Sequence, residues 1–202
     1  CITPVQMSAG RSAVSLSVNG VNFVSTGLVF DFLEEPTLLS IEPVVGPESG
    51  GTRVYVSGTK LGPRGDITCE FGSNKYRTPA RWESDNKVSC LTPGHAPGKV
   101  EIRVGSNGQQ YSTSSVEFLF LQKESISFVV PQSDFLGGGS TVSVTGKGFV
   151  NREGLSCRFG DKLVSAVYVS KTELTCVTPA MSTACAVSLE VSNNGVDFSS
   201  ST

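Results

Sequence analysis

Gly51-Thr52-Arg53-Val54-Tyr55-Val56-Ser57-Gly58 recurs as Gly139-Ser140-Thr141-Val142-Ser143-Val144-Thr145-Gly146, 88 residues further on. In both copies valines alternate with polar residues between two glycines, the period-two pattern of a strand with one buried face and one wet face. The same displacement carries Cys69-Glu70-Phe71-Gly72 onto Cys157-Arg158-Phe159-Gly160. A match that spans glycines, cysteines and strand pattern together marks an internal repeat, and a repeat decides domain organisation before any other feature.

A second landmark, Cys-Φ-Thr-Pro with Φ apolar, occurs at Cys1-Ile2-Thr3-Pro4, Cys90-Leu91-Thr92-Pro93 and Cys176-Val177-Thr178-Pro179. After each come an alternating strand, an Asn-Gly pair (Asn19-Gly20, Asn107-Gly108, Asn194-Gly195) and an aromatic residue (Phe23, Tyr111, Phe198). The chain thus samples three units. Residues 1–34 read as the back half of one, 35–121 as a complete one, and 122–202 as one lacking its last strand, with the native protein expected to extend in both directions. Leu28-Val29-Phe30-Asp31-Phe32 and Val116-Glu117-Phe118-Leu119-Phe120 are the last strands of the first two units, and nothing equivalent follows Ser199. The joins, Leu33-Glu34-Glu35-Pro36 and Leu121-Gln122-Lys123-Glu124, are short and lack the Gly/Ser richness of a flexible tether, which predicts abutting units in a semi-rigid rod.

Composition agrees with an all-β reading. With 38% hydrophobic and 17% charged residues, 22 Gly and 10 Pro, the chain is globular but turn-rich. Gly or Pro interrupts most windows long enough for an amphipathic helix. The alternation of Val54/Val56, Ile102/Val104, Val142/Val144 and Leu189/Val191 predicts tandem β-sandwiches. No apolar run approaches the roughly 20 residues that span a bilayer, so no direct membrane insertion is expected in this segment. The net charge is −2, with basic and acidic side chains nearly balanced in each unit. Nucleic-acid affinity draws on a surplus of Lys and Arg against phosphate, so nucleic acid is not an expected partner.

Cys69 and Cys90 hold the same places in one unit as Cys157 and Cys176 in the next. Two intradomain disulfides are the economical assignment, with buried free thiols as the alternative. Each bond would close a loop of about 20 residues and contribute roughly 3 kcal/mol in the chain-entropy model. Zinc is disfavoured, since the chain has one histidine and no CxxC pair. Disulfides imply an oxidising, extracellular or cell-surface setting. Cys1 is the second cysteine of its unit, so its partner is expected outside the chain. Cys185 replaces Lys99 of the middle unit and lies outside the framework; a free thiol, a bond to external residues and an intermolecular crosslink all remain open for it.

These residues resemble the IPT/TIG domains, the immunoglobulin-like, plexin and transcription-factor type. The carriers are Ile41-Glu42-Pro43, Gly46-Pro47-Glu48-Ser49-Gly50-Gly51-Thr52, Val54-Tyr55-Val56-Ser57-Gly58, Cys69-Glu70-Phe71-Gly72, Val88-Ser89-Cys90-Leu91-Thr92-Pro93 and Val104-Gly105-Ser106-Asn107-Gly108. The third unit keeps Gly138-Gly139, Gly146, Gly148-Phe149, Cys157 and Thr178-Pro179 but has Pro131-Gln132-Ser133-Asp134-Phe135-Leu136 where the middle one has a Gly-Pro loop. The resemblance implies immunoglobulin-like sandwiches of about seven strands, and tandem cysteine-paired units look like the extracellular branch of the family.

No catalytic, cofactor-binding or metal site is expected. His95, in Gly94-His95-Ala96-Pro97-Gly98, reads as solvated, with neither nucleophile nor orienting group arranged around it. Gly50-Gly51 and Gly138-Gly139 read as sharp turns into a strand, and Gly58 and Gly146 as strand exits. The Asn-Gly pairs read as tight turns in which both residues accept positive φ. Trp82 and Tyr168 are expected in the cores. The functional expectation is a structural or adhesive segment of a large extracellular repeat protein, a scaffold that assembles into a surface filament or coat. Its partners would be proteins: neighbouring repeats, identical subunits or a surface protein. The alternative is the stalk of a plexin-like receptor ectodomain that positions a ligand-binding head.

Overall fold

The computed structural model describes residues 2–4, 8–62 and 66–200, all in strands, turns and loops. Two compact units divide at Pro36. In the first, β1 (Gly10–Leu16) and β2 (Val24–Phe32) form an antiparallel ribbon with Gly10 opposite Phe32 and Ser12 opposite Phe30. Leu28 and Phe30 on that ribbon are 66% and 44% exposed, with no second layer against it among the described residues of this unit.

The second unit holds two sandwiches. The first is built from β3 (Thr37–Glu42), β4 (Val45–Pro47), β5 (Arg53–Thr59), β6 (Thr68–Phe71), β7 (Ser73–Ser84), β8 (Lys87–Leu91), β9 (Gly98–Gly105) and β10 (Val116–Leu121). Its ladder runs β3-β5-β8-β7-β6-β9-β10-β4 and folds into two layers because β7 is shared. Ala80 and Trp82 of β7 pair with β8, whereas Arg77 and Thr78 pair with β6. All pairs are antiparallel except β10 with β4. Eight strands form instead of about seven because Pro43 divides the first one. Proline has no N–H for the ladder with β5, which stops at Glu42, and the chain crosses to pair with β10 in the other layer.

Alternation decides the core. Val54, Val56, Phe71, Val88, Ile102, Val104, Phe118 and Phe120 face inward and are at most 1% exposed. Cys69 and Cys90 are bonded across the two layers, Cα atoms 6.5 Å apart.

The second sandwich contains β11 (Ser125–Val130), β12 (Thr141–Lys147), β13 (Ser156–Phe159), β14 (Lys162–Ser170), β15 (Glu173–Val177) and β16 (Leu189–Ser192), ordered β11-β12-β15-β14-β13-β16. Val142, Val144, Phe149, Leu174 and Val191 fill its core around the Cys157–Cys176 bond, whose Cα atoms are 6.4 Å apart.

The repeated glycines have two different roles. Gly50, Gly51, Gly138 and Gly139 take φ of 71°, 87°, 63° and 92°, as the turn reading requires. Gly58 and Gly146 lie inside β5 and β12 and do not mark exits. A Cβ there would run into the carbonyl oxygens of Thr37 and Ser125 on the neighbouring strand, so close approach, not conformation, demands glycine.

The Cys-Φ-Thr-Pro motif acquires a reason as well. Thr92 Oγ1 accepts a hydrogen bond from Thr52 N at 3.1 Å, and Thr92 O accepts one from Gly51 N at 2.8 Å. Thr178 does the same for Ser140 N and Gly139 N at 3.1 and 2.9 Å. The threonine therefore locks the Gly-Gly turn to the strand that carries the second cysteine.

Candidate functional site at the joint between repeats

The three Asn-Gly turns share one construction. Asn19, Asn107 and Asn194 each use Oδ1 to accept backbone N–H groups two and three residues on, at 2.8 to 3.1 Å. Positive φ is carried by Gly20, Gly108 and Gly195 alone; the asparagine closes the loop with its side chain instead of with its backbone. That leaves the amide Nδ2 free to reach further.

In the middle repeat Asn107 Nδ2 donates to Gln110 Oε1 at 3.3 Å, within its own loop. In the next repeat it leaves the domain. Asn194 Nδ2 donates to Val45 O of β4 at 2.9 Å and to Asp197 Oδ2 at 2.8 Å. Asp197, at the position of Gln110, accepts in turn from Thr52 Oγ1 at 2.7 Å. Lys123 N donates to Glu48 Oε1 at 3.4 Å on the connecting segment. The gap left among Val45, Gly46, Pro47, Glu124, Asn194 and Asp197 is about 10 Å³, at the lower limit for one water. Gly46 admits the turn because a Cβ there would strike the Thr52 side chain.

Behind the turn stands a buried carboxylate. Glu124 is 5% exposed and Asn193 is 4% exposed. Asn193 Nδ2 donates to Glu124 Oε2 at 3.2 Å and to Gly148 O at 2.9 Å, while its Oδ1 accepts from Val150 N at 3.0 Å. Burial pushes the Glu124 carboxyl above its ordinary value, and the charge of Asp197 adds to the rise; hydrogen bonds from its own backbone N–H and from Asn193, and the charge of Lys123, oppose it. The loop Pro131–Leu136, expected to differ from its Gly-Pro counterpart, is held by Asp134. That carboxylate accepts from Ser140 Oγ at 2.8 Å, from Thr178 Oγ1 and from Phe135 N, and its pKa is lowered, chiefly by the Thr178 and Ser140 hydroxyls.

Several expected sites fall elsewhere. Cys185 is an exposed free thiol, and Cys1 lies outside the described residues. His95 is half-buried, not fully solvated. Its ring stacks on Phe120 at 4.9 Å between centroids and meets Tyr76 edge-on at 4.5 Å, so this loop plugs one end of the core. Trp82 is 41% exposed, whereas Tyr168 packs against its core. Both alternate correctly, but Trp82, opposite Val88 near the β7–β8 turn, stays largely exposed. Among the described residues no three His, Cys, Asp or Glu side chains gather in a way that could hold a metal ion. The joint itself was not foreseen. Its signal in the sequence was the pair of departures from the repeat, Asn193 for Ser106 and Asp197 for Gln110.

Two disulfide-bonded immunoglobulin-like sandwiches, docked turn to strand, define a modular structural protein of an oxidising, extracellular setting. The chain belongs to the IPT/TIG domain family, whose pattern matches residues 36–120 and again 125–202. It is 28% identical over 139 residues to plexin-B2 of Mus musculus, which covers 67% of this chain and 7% of that protein. It is 26% identical over 187 residues to fibrocystin-L of Homo sapiens, covering 90% and 4%. The extracellular region of plexin A4 shares the fold with a TM-score of 0.55 at 20% identity, over 93% of this chain and 17% of that one. The chain thus spans under a tenth of the length of the curated relatives it matches. IPT/TIG domains are structural modules and not enzymes.

Proposed function

We infer that this stretch is a spacer in the ectodomain of a large extracellular protein, holding a protein-binding region at a set distance and angle from its base. The observation that carries the reading is the joint: a turn from one repeat is hydrogen-bonded to the preceding one by Asn194, which the repeat shares, and by Asp197, which departs from it. The likeness to plexins supports the stalk reading. A structural link needs little chemistry, and its partners are other protein domains. Small-angle scattering of the chain carrying residues 37–202 tests it. Wild type should fit one arrangement of the two sandwiches, and Asn194→Ala/Asp197→Ala should require a broad ensemble. A wild type that already samples a broad ensemble would sink the spacer reading.

A second reading is assembly into a filament or coat through Cys185, favoured by a thiol that is exposed and has no repeat counterpart. Native material should then migrate as crosslinked species without reductant. Purely monomeric migration would remove this reading and leave the spacer intact.

A further inference from the structure

The Asn-Gly turns carry a chemistry of their own. With no Cβ in the way, a glycine nitrogen that loses its proton attacks Cγ of the preceding asparagine. A bond forms from that nitrogen to Cγ, the Cγ–Nδ2 bond breaks, and Nδ2 leaves as ammonia with a proton from solvent. Water then opens the resulting succinimide to aspartate or isoaspartate. The sum is amide plus water to carboxylate plus ammonium, with no change of oxidation state. Two things govern the rate: whether the glycine N–H is open to base, and whether the side-chain amide is free to turn its Cγ onto that nitrogen.

Asn107 is lightly guarded. It is exposed, and its Nδ2 donates to the exposed Gln110 side chain at 3.3 Å. Gly105 offers no hydroxyl to the Gly108 N–H, and no side chain fits there because a Cβ would strike Gln110 O. Asn19 is exposed likewise, with its Oδ1 held inside its own turn.

Asn194 is guarded twice. Ser192 lies opposite Ser156 as Gly105 lies opposite Thr68, so a fully buried serine stands where the middle repeat has glycine. Its Oγ accepts from Gly195 N at 2.9 Å and donates to Asn194 Oδ1 at 3.0 Å. The glycine proton is thus held by a neutral oxygen. The amide is also pinned at both ends, Oδ1 by Val196 N and Asp197 N, Nδ2 by Val45 O and Asp197 Oδ2. Val45 belongs to the preceding repeat, and Thr52 of that repeat steadies Asp197 through a 2.7 Å bond. Turning Cγ toward Gly195 N therefore requires the joint to open.

We propose that Asn194 is a deamidation site gated by the joint: docked repeats suppress the reaction, and one event releases them for good. The product has an oxygen where Nδ2 was, so Val45 O loses its donor. The 2.8 Å contact with Asp197 Oδ2 becomes a meeting of two carboxylates, beside a gap that Glu124 also lines. An isoaspartate further lengthens the main chain of the turn by one carbon. Reclosure then faces like charges and a missing hydrogen bond. The same reaction at Asn107 leaves the neighbouring repeat untouched, because Gln110 lies in its own loop. The site depends on the geometry of the joint alone and not on whether the chain acts as a spacer.

Peptide mapping by mass spectrometry, after incubation of the 202-residue chain at mildly alkaline pH, reads the sites in one sample. Asn107 should convert at least about tenfold faster than Asn194. Thr52→Val lies in the other sandwich and removes a bond to a charged acceptor without touching the turn; it should speed conversion of Asn194 by about tenfold and leave Asn107 unchanged. Equal rates at the two asparagines in the wild type overturn the protection. A rate at Asn194 that ignores Thr52→Val, yet rises in Ser192→Gly, overturns the gate, because the turn alone then guards the amide. Asn194→Asp installs the product directly, and its small-angle scattering should require a broader ensemble than the wild type. A wild-type profile from Asn194→Asp overturns the release.

Discussion

Replacing Thr92 by valine separates the role of the Cys-Φ-Thr-Pro threonine from its packing. The change is nearly isosteric and removes one oxygen. Thr52 is fully buried and Thr92 is 4% exposed, so the Thr52 N–H that pointed at Oγ1 at 3.1 Å loses its acceptor with no route for water. An orphaned buried donor costs about 1–3 kcal/mol. For a sandwich of this size that corresponds to a fall in Tm of about 4–8 °C per kcal/mol. Thr178→Val removes the equivalent bond to Ser140 N and the hydroxyl that donates to Asp134, but Thr178 is only half-buried and both freed groups gain water, which predicts a loss below about 1.5 kcal/mol. The assay is built into the sequence. Trp82 is the sole tryptophan and lies on β7 of the first sandwich, so its fluorescence in urea reports that domain while circular dichroism reports both. Thr92→Val should shift the Trp82 transition, and Thr178→Val should shift only the part of the dichroism that Trp82 does not see. If Thr178→Val costs as much as Thr92→Val, or the Trp82 midpoint ignores Thr92→Val, the orphaned-donor argument is wrong.

Glu124→Gln should stabilise the second sandwich at pH 7. The folded carboxyl titrates above its ordinary value of 4.5, so its contribution is most favourable below that pH and is lost as pH rises through the raised pKa. Glutamine keeps an acceptor for Asn193 and removes the loss, so Tm should rise at pH 7 and the slope above pH 4.5 should flatten; a variant with an unchanged slope contradicts the assignment. Asp134 works in the opposite sense. Its lowered pKa gives stability that is present above 3.8 and lost as pH falls through the folded value, and Asp134→Asn should make the acid limb shallower in a melting profile. Removing the Cys69–Cys90 or the Cys157–Cys176 bond, with loops of 21 and 19 residues, should each cost about 3 kcal/mol in urea titrations. A loss that extends equally to the untouched domain would mean that the sandwiches do not unfold as separate units.

Much of the fold was legible because the sandwich is specified by short-period information. Alternation at Val54/Val56 and Ile102/Val104 assigns the buried face, and repetition of the glycines and cysteines fixes the register between copies. What escaped was set by contacts distant in sequence. Gly94-His95-Ala96-Pro97-Gly98 has the composition of a solvated loop, yet His95 N donates to Glu48 O at 2.9 Å and its ring fills a place between Tyr76 and Phe120. Gly58 sits at the end of an alternating run, where an exit is the local reading; only the nearness of the Thr37 carbonyl shows why no Cβ fits. Trp82 obeys the alternation, but alternation assigns a face of a sheet and not the depth of the layer behind it.

The joint was hidden for a different reason, which bears on how such repeats acquire individual roles. Glu70 lies opposite Arg103 in the first sandwich, and Arg158 lies opposite Glu190 in the second, so both signs are exchanged within one domain; Arg158 binds Glu190 directly, whereas Glu70 is held by Arg77 and Arg103 by Glu101. That kind of change preserves the fold and says nothing of neighbours. Asp197 in place of Gln110 has no such internal compensation: its partners are Asn194 of its own turn and Thr52 of the preceding repeat. A charged side chain placed where the repeat has an amide, and answered partly from across a domain boundary, keeps its Asn194 partner in any arrangement but its Thr52 hydroxyl only in the docked one. The repeat pattern therefore separates two classes of substitution, those answered inside a sandwich and those answered in part by the neighbouring one, and the second class joins one domain to the next.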